Sequence, residues 1–118
     1  MNEEELAAYV RRTWRMFEVK TKVPLKDLFP EPEGKGLKRI WNYGHADVAV
    51  FRNGKLVAVL EPGGAHHFEK KQSLSDRRKY MLCKLNGVNC LFFMAGMQER
   101  LSKRKFRNMI RKALFAKV

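Results

Sequence analysis

Apolar residues recur along this chain with two different periods, and each change of period marks the border of an element. Leu6, Val10, Trp14 and Phe17 follow one another at three- and four-residue intervals, which puts them on one face of a helix. Asn2 before them is a good N-cap, and Glu3, Glu4 and Glu5 suit the positive end of a helix, so the pattern predicts a helix over about 3–17. From Lys20 to Tyr43 the period is lost. Pro24, Pro30, Pro32, Gly34 and Gly36 interrupt it, and the stretch reads as an irregular loop in which 23–29 holds enough apolar residues to pack onto a core.

Two β segments follow, 46–51 and 55–60, joined by Arg52, Asn53 and Gly54. Asn-Gly between apolar runs predicts a tight hairpin. Ser73 and Asp76 have the spacing of a capping box, and Asn86-Gly87 supplies a stop. The helix between them is expected to turn Leu74, Met81, Leu82 and Leu85 toward the core. Residues 88–94 form an almost continuous apolar run, as expected of a central strand covered on both faces, and Gly96 ends it. Phe106, Met109, Ile110, Ala113 and Leu114 then give an apolar stripe to a last helix over roughly 98–116.

The predicted order is helix, β-hairpin, helix, strand, helix. A helix between the hairpin and a further strand returns the chain for parallel pairing through a right-handed crossover. The expected fold is thus α/β, with a small mixed sheet flanked by helices. At 118 residues the chain fits one domain, 1–118, with 20–43 as a basic loop insertion carrying Lys35, Lys38 and Arg39.

Composition narrows the partners. The formal net charge is +13 and the sequence pI near 10.2, which points to a polyanion, with nucleic acid first and a membrane surface second. No apolar run approaches the length of a bilayer span, and glutamates at the start do not resemble a signal peptide, so an intracellular, soluble domain is expected. Cys83 and Cys90 fit no metal spacing and read as reduced thiols.

The chemistry concentrates in the middle of the chain. Asp47 stands in a strand otherwise made of Ala, Val and Phe, and Glu61 closes the next strand before Pro62, Gly63 and Gly64. A lone carboxylate is costly to bury unless it is paired or bound to a cation, although a solvent-facing strand end would also explain Asp47. A hairpin makes the start of one strand the neighbour of the end of the other. Asp47 and Glu61 are therefore expected side by side, as a Mg²⁺ site needs. His66 and His67 follow the glycine turn. They read either as a surface pair or as a source of a general base, with Asp76 as capping acid, as orienter of an imidazole, or as both. Lys70, Lys71, Arg77, Arg78, Lys79 and Lys84 make the central helix and its approach basic, and Arg100, Lys103, Arg104, Arg107 and Arg111 form a stripe on the last helix. A solvated face is the plain reading of such a stripe, but acids are nearly absent opposite these cations, which favours phosphate contact.

As an ordered set, these residues resemble the restriction-endonuclease-like PD-(D/E)xK nuclease superfamily, nearest to the branch of the very short patch repair endonucleases. The resemblance covers about residues 3–17 and 45–94: Glu3 before a leucine-bearing helix face, Asp47 after His45 and Ala46, Glu61 running into a glycine turn and His67, then Asp76, Arg77, Arg78, Leu85, Gly87 and an apolar strand. It implies a restriction-endonuclease-like core in which Asp47 and Glu61 bind Mg²⁺ (or Mn²⁺). It makes His67 the general base and Asp76 its partner, and brings Glu3 to the metal from the first helix. The superfamily's lysine two residues after the second acid is Gly63 here, so Lys70, Lys71 or Lys79 would have to replace it. The zinc-binding cysteines of the patch-repair enzymes are missing. Nucleases of this fold often dimerise to cut both strands, but no segment shows a committed interface for a homodimer.

The leading expectation is a Mg²⁺-dependent endonuclease acting on DNA. A catalytically inactive nucleic-acid-binding module on the same fold is the alternative. A basic RNA-associated structural protein would explain the charge but not Asp47 and Glu61.

Overall fold

The computed structural model describes residues 1–64, 70–94 and 97–116. They run in the order α1 (Glu3–Thr13), β1 (Glu18–Pro24), α2 (Leu25–Leu28), α3 (Lys35–Tyr43), β2 (His45–Arg52), β3 (Lys55–Gly64), α4 (Lys70–Leu85), β4 (Asn89–Met94), α5 (Met97–Arg100) and α6 (Lys103–Phe115). The four strands form one mixed sheet in the order β1-β2-β3-β4. The first three are antiparallel and β4 is parallel to β3, so α4 provides the crossover that parallel pairing requires.

The hairpin at the centre of the sheet is closed by Asn53 and Gly54, both at positive φ (52° and 78°), the conformation that makes Asn-Gly so favourable in a two-residue turn. Alternation along the strands then sorts the core onto two faces. Val48, Val50, Ala58 and Leu60 face α1 and α6, through Leu6, Val10, Phe106 and Ile110. Ala49 and Val59 face the other way, toward Leu25 and Phe29 near α2 and Leu82 and Cys83 on α4. Helices therefore cover both faces of the sheet. None among the described residues is long and apolar enough to cross a membrane.

The start of α1 is capped as expected, with the Asn2 side chain accepting from the Glu5 amide and the Glu5 side chain returning the bond. The helix ends at Thr13, earlier than expected, and Trp14 and Phe17 are buried from outside it. The segment 20–43 is not an irregular insertion. It contains most of β1, the whole of α2 and the whole of α3, with the prolines at their borders. Pro24 fits at the end of β1 because β1 is an edge strand, where a missing amide donor does no harm.

Further expectations are corrected. β4 is an edge strand rather than a central one, although α4 and α6 both pack beside it. Ser73 and Asp76 do not cap α4, which already begins at Lys70 and so places both inside it. The buried side of α4 holds Leu82 and Cys83, whereas Leu74, Met81 and Leu85 are exposed. The last predicted helix is two: α5 ends at Arg100, and α6 restarts after Ser102, whose hydroxyl accepts from the Lys105 amide. Cys83 and Cys90 are free thiols.

Candidate functional site

The antiparallel register that sets Val48 opposite Leu60 carries on to place Asp47 opposite Glu61. Both belong to the set of positions that, like Ala49 and Val59, face α4. Glu61 is the one buried charged or polar residue among those described, with 2% of its surface exposed. Its two carboxylate oxygens have separate partners. Oε2 accepts from the backbone amide of Asp47 at 2.8 Å, and Oε1 accepts from Nζ of Lys79 at 2.5 Å.

Lys79 comes from the middle of α4 and is itself nearly enclosed, with 11% of its side chain exposed. It sits one turn before Leu82 and Cys83, on the side of the helix that packs on the sheet. A lysine in that stripe is tolerated because its ammonium ends on a carboxylate, which offsets the cost of burying either charge alone. Asp47 is more open, with 21% of its side chain exposed, and Oδ1 lies 3.5 Å from Nε2 of His45. His45 and Asp47 are two residues apart on one strand and therefore share a face.

Burial pushes the Glu61 carboxyl up to about 7, against the pull of the Lys79 ammonium and with a further push from the Asp47 charge. Burial alone would lower Lys79, but the charge and hydrogen bond of Glu61, with Asp47 behind it, outweigh that and hold its proton above the ordinary lysine value. Lys79 is therefore a fixed cation at neutral pH. Next to it, the Cys90 thiol is pushed up by its hydrogen bond with Cys83 and by burial.

No family model, curated protein or solved structure matches this chain. Its own geometry is what describes the site. Two carboxylates and a buried ammonium converge at one end of the central strands. Among the described residues no group of three or more His, Cys, Asp and Glu stands close enough together to hold a metal. Two carboxylates are nonetheless a sufficient protein contribution for Mg²⁺, which keeps most of its waters and is held by one or two carboxylates together with substrate phosphates. An oxygen-only donor pair is of the kind that ion takes, and Asp47 is the more accessible of the two acids.

Glu3 belongs to α1, which covers the sheet face opposite to the one that Asp47 and Glu61 share. Its Oε1 lies 3.8 Å from Nζ of Lys22, and Lys22 occupies the place in β1 opposite Asp47. Lys22 has φ of 52°, a left-handed conformation that a residue with a side chain adopts at a cost. The other oxygen of Glu3, Oε2, is buried and accepts no hydrogen bond among the described residues.

The remaining candidates are distributed as follows. His66 and His67 lie outside the described residues. Asp76 is half-buried on α4, one turn before Lys79. Lys70 and Lys71 are in the first turn of α4. Arg77 is exposed, while Arg78 lies across α3, its guanidinium 3.1–3.2 Å from where a Cβ on Gly36 would stand. Arg100 belongs to α5. Lys103, Arg104, Arg107 and Arg111 are exposed on α6, and Arg107 stacks its guanidinium over the Trp14 ring at 5.8 Å. Since α6 packs on the face carrying Val48 and Val50, this stripe lies across the sheet from Asp47, Glu61 and Lys79.

Sequence reasoning missed His45 as part of the site. Its two-residue spacing from Asp47 on a strand was the available signal. The sequence marks Lys79 only as one of several basic residues, and its position in line with Leu82 and Cys83 is the sign that sets it apart.

Proposed function

We propose that this domain has a restriction-endonuclease-like core and is a metal-dependent endonuclease that hydrolyses phosphodiester bonds in DNA. The observation that carries the reading is the convergence of Asp47, Glu61 and Lys79, two acids from a hairpin and an ammonium from the crossover helix. An acid pair set against a polyanionic partner repels it unless a cation lies between them, so a domain that only binds DNA gains nothing from the pair. The net charge of +13 supports the same substrate.

Asp47 and Glu61 would hold Mg²⁺ or Mn²⁺. When bound, such an ion polarises the phosphodiester and lowers the pKa of a water. Lys79 replaces the lysine that the resemblance leads one to expect at position 63. Because it keeps its proton, its part is electrostatic: it stabilises the extra negative charge that develops on the phosphoryl oxygens and takes no proton from water. Proton transfer falls to an imidazole. His67 is the base that the resemblance implies, and His45, already 3.5 Å from Asp47, is the described histidine best placed to act instead.

One observation favours the alternative of an inactive binding module. Both oxygens of Glu61 are engaged by groups of the chain, so the pair with Lys79 is satisfied without an ion. A plasmid-nicking assay separates the two. Wild-type protein should nick only with Mg²⁺ or Mn²⁺ present, and Asp47→Ala should not nick. Absence of metal-dependent cleavage on duplex, branched and single-stranded DNA would leave the binding module. Undiminished cutting by Asp47→Ala would place the site elsewhere.

A further inference from the structure

The groove between α3 and α4 is a surface that neither the charge stripe of α6 nor the carboxylate site accounts for. It encloses about 950 Å³ and is lined by Lys35, Lys38 and Arg39 from α3 and by Arg78 from α4, with no acidic side chain among the described residues of its wall. Among the described residues, none of these four cations forms an ion pair. α3 packs Ile40 and Trp41 against the core and contains no acid, so Lys35, Lys38 and Arg39 concentrate positive charge on its exposed side. Gly36 leaves room for the Arg78 guanidinium, which lies against its bare backbone; a Cβ there would stand 3.1–3.2 Å from the guanidinium and push it aside.

At the end of this groove stands Tyr43, 85% exposed. It is the last residue of α3, and Gly44, His45 and Ala46 connect it to Asp47. Four residues span at most about 14 Å even when fully extended, which bounds the distance between the backbones of Tyr43 and Asp47. The groove also opens on the right side of the sheet. α4 and its Lys79 share the face of Asp47 and Glu61, whereas α6 is on the other.

A cationic groove that ends in an exposed aromatic ring is the arrangement that binds unpaired nucleic acid: the cations follow the phosphates and a base stacks on the ring. In a fully paired duplex the base faces are already stacked on one another and offer the ring nothing. We infer that the α3–α4 groove is the substrate path of the site, and that the substrate presents unpaired nucleotides, as a single strand or at the splayed arms of a branch, with a base stacked on Tyr43. This rests on the proposed function for the chemistry at Asp47, but the binding itself needs neither metal nor cleavage.

The test is fluorescence anisotropy in EDTA with the full chain and labelled oligonucleotides of equal length, single-stranded, splayed and fully paired. Tyr43→Ala should weaken binding of the first two about tenfold and leave the duplex unchanged, and Tyr43→Phe should bind like the wild type. Lys38→Ala combined with Arg39→Ala should weaken single-strand binding and flatten its salt dependence by about 0.7 in log–log slope for each phosphate no longer neutralised. Arg52→Ala combined with Lys55→Ala, exposed at the hairpin turn, should do neither. The inference is overturned if Tyr43→Ala binds single strands normally, if it loses duplex affinity equally, or if the hairpin pair matters as much as the α3 pair. Circular dichroism of each variant separates loss of binding from loss of fold. Because no divalent ion is present, the outcome is independent of nicking. A stacking effect without cleavage sinks the enzyme reading alone, and cleavage without a stacking effect sinks this inference alone.

Discussion

Lys79 of α4 and Glu61 of β3 form a salt bridge at 2.5 Å, with 11% and 3% of their side chains exposed. The crossover helix and the hairpin are thus tied together by a charge pair at the point where substrate would be held. Removing one partner of a buried pair leaves a stranded charge, at a typical cost of about 3–5 kcal/mol. Lys79→Met should therefore destabilise the domain in urea unfolding. The loss should be smaller at pH 6, where Glu61 relieves its burial by taking a proton, than at pH 8. Combining Glu61→Gln with Lys79→Met should recover most of the stability, since neither charge then remains. Cleavage by Lys79→Met should fall by about 10²–10³, the loss typical of one missing preorganised donor. A variant that keeps full activity would remove Lys79 from the mechanism.

The raised Glu61 carboxyl gives the unliganded protein an unusual pH dependence. Between its ordinary value of 4.5 and about 7, the folded chain binds a proton that the unfolded chain has released. Stability from this group is therefore fully present below about 4.5 and is lost as pH rises through about 7, by about 3 kcal/mol at most. Comparing wild type with Glu61→Gln isolates this contribution, and the variant should show a flatter profile across that range. Cation binding should run the opposite way. Mg²⁺ requires the ionised carboxylate, so calorimetric titration should find affinity rising up to about pH 7 and levelling above it, with proton release on binding at pH 6. Affinity that does not change with pH would exclude Glu61 as a ligand.

The Asp47 charge acts on both members of the buried pair: it adds to the push on Glu61 and helps hold the proton on Lys79. Asp47→Asn keeps the size of the side chain and removes both effects. It should lower the pH at which Glu61 titrates and change the stability of the metal-free protein little, because the repulsion and the attraction are lost together. The same change should abolish stabilisation by Mg²⁺, which for the wild type is expected to reach about 2.7 kcal/mol at a hundredfold excess over Kd. Thermal unfolding with and without the ion measures both stabilities. A variant that is much less stable without metal, or equally stabilised by it, would mean that Asp47 is structural.

Where local chemistry and tertiary packing agree, the sequence is a good guide. Asn2 with Glu5, and Asn53 with Gly54, act within a few residues of themselves, so the start of α1 and the hairpin are legible. The hairpin in turn fixes Asp47 beside Glu61. β1 and α3 are not legible because Pro24, Pro30, Pro32 and Gly34 occupy the borders of short elements. Read along the chain they resemble one broken loop, and only pairing with β2 makes Glu18–Pro24 a strand. Lys79 is obscured for a different reason. Its burial depends on a partner eighteen residues away in sequence, and no local pattern contains that information.

The same long-range pair explains why the buried side of α4 differs from the one expected. Apolar residues at 74, 81, 82 and 85 suggest one stripe, but the stripe that fits the sheet is the one that also delivers Lys79 to Glu61. Turning the helix that way buries Leu82 to 1% exposure and leaves Leu85 at 67% and Met81 at 53%. The two leucines should consequently differ sharply in equilibrium unfolding. Leu82→Ala opens a cavity against Ala49 and Val59 and should cost about 2–5 kcal/mol, whereas Leu85→Ala should change stability by no more than about 0.5 kcal/mol. Similar losses at both positions would mean that α4 sits in a different rotation, and Lys79 would then no longer point at Glu61.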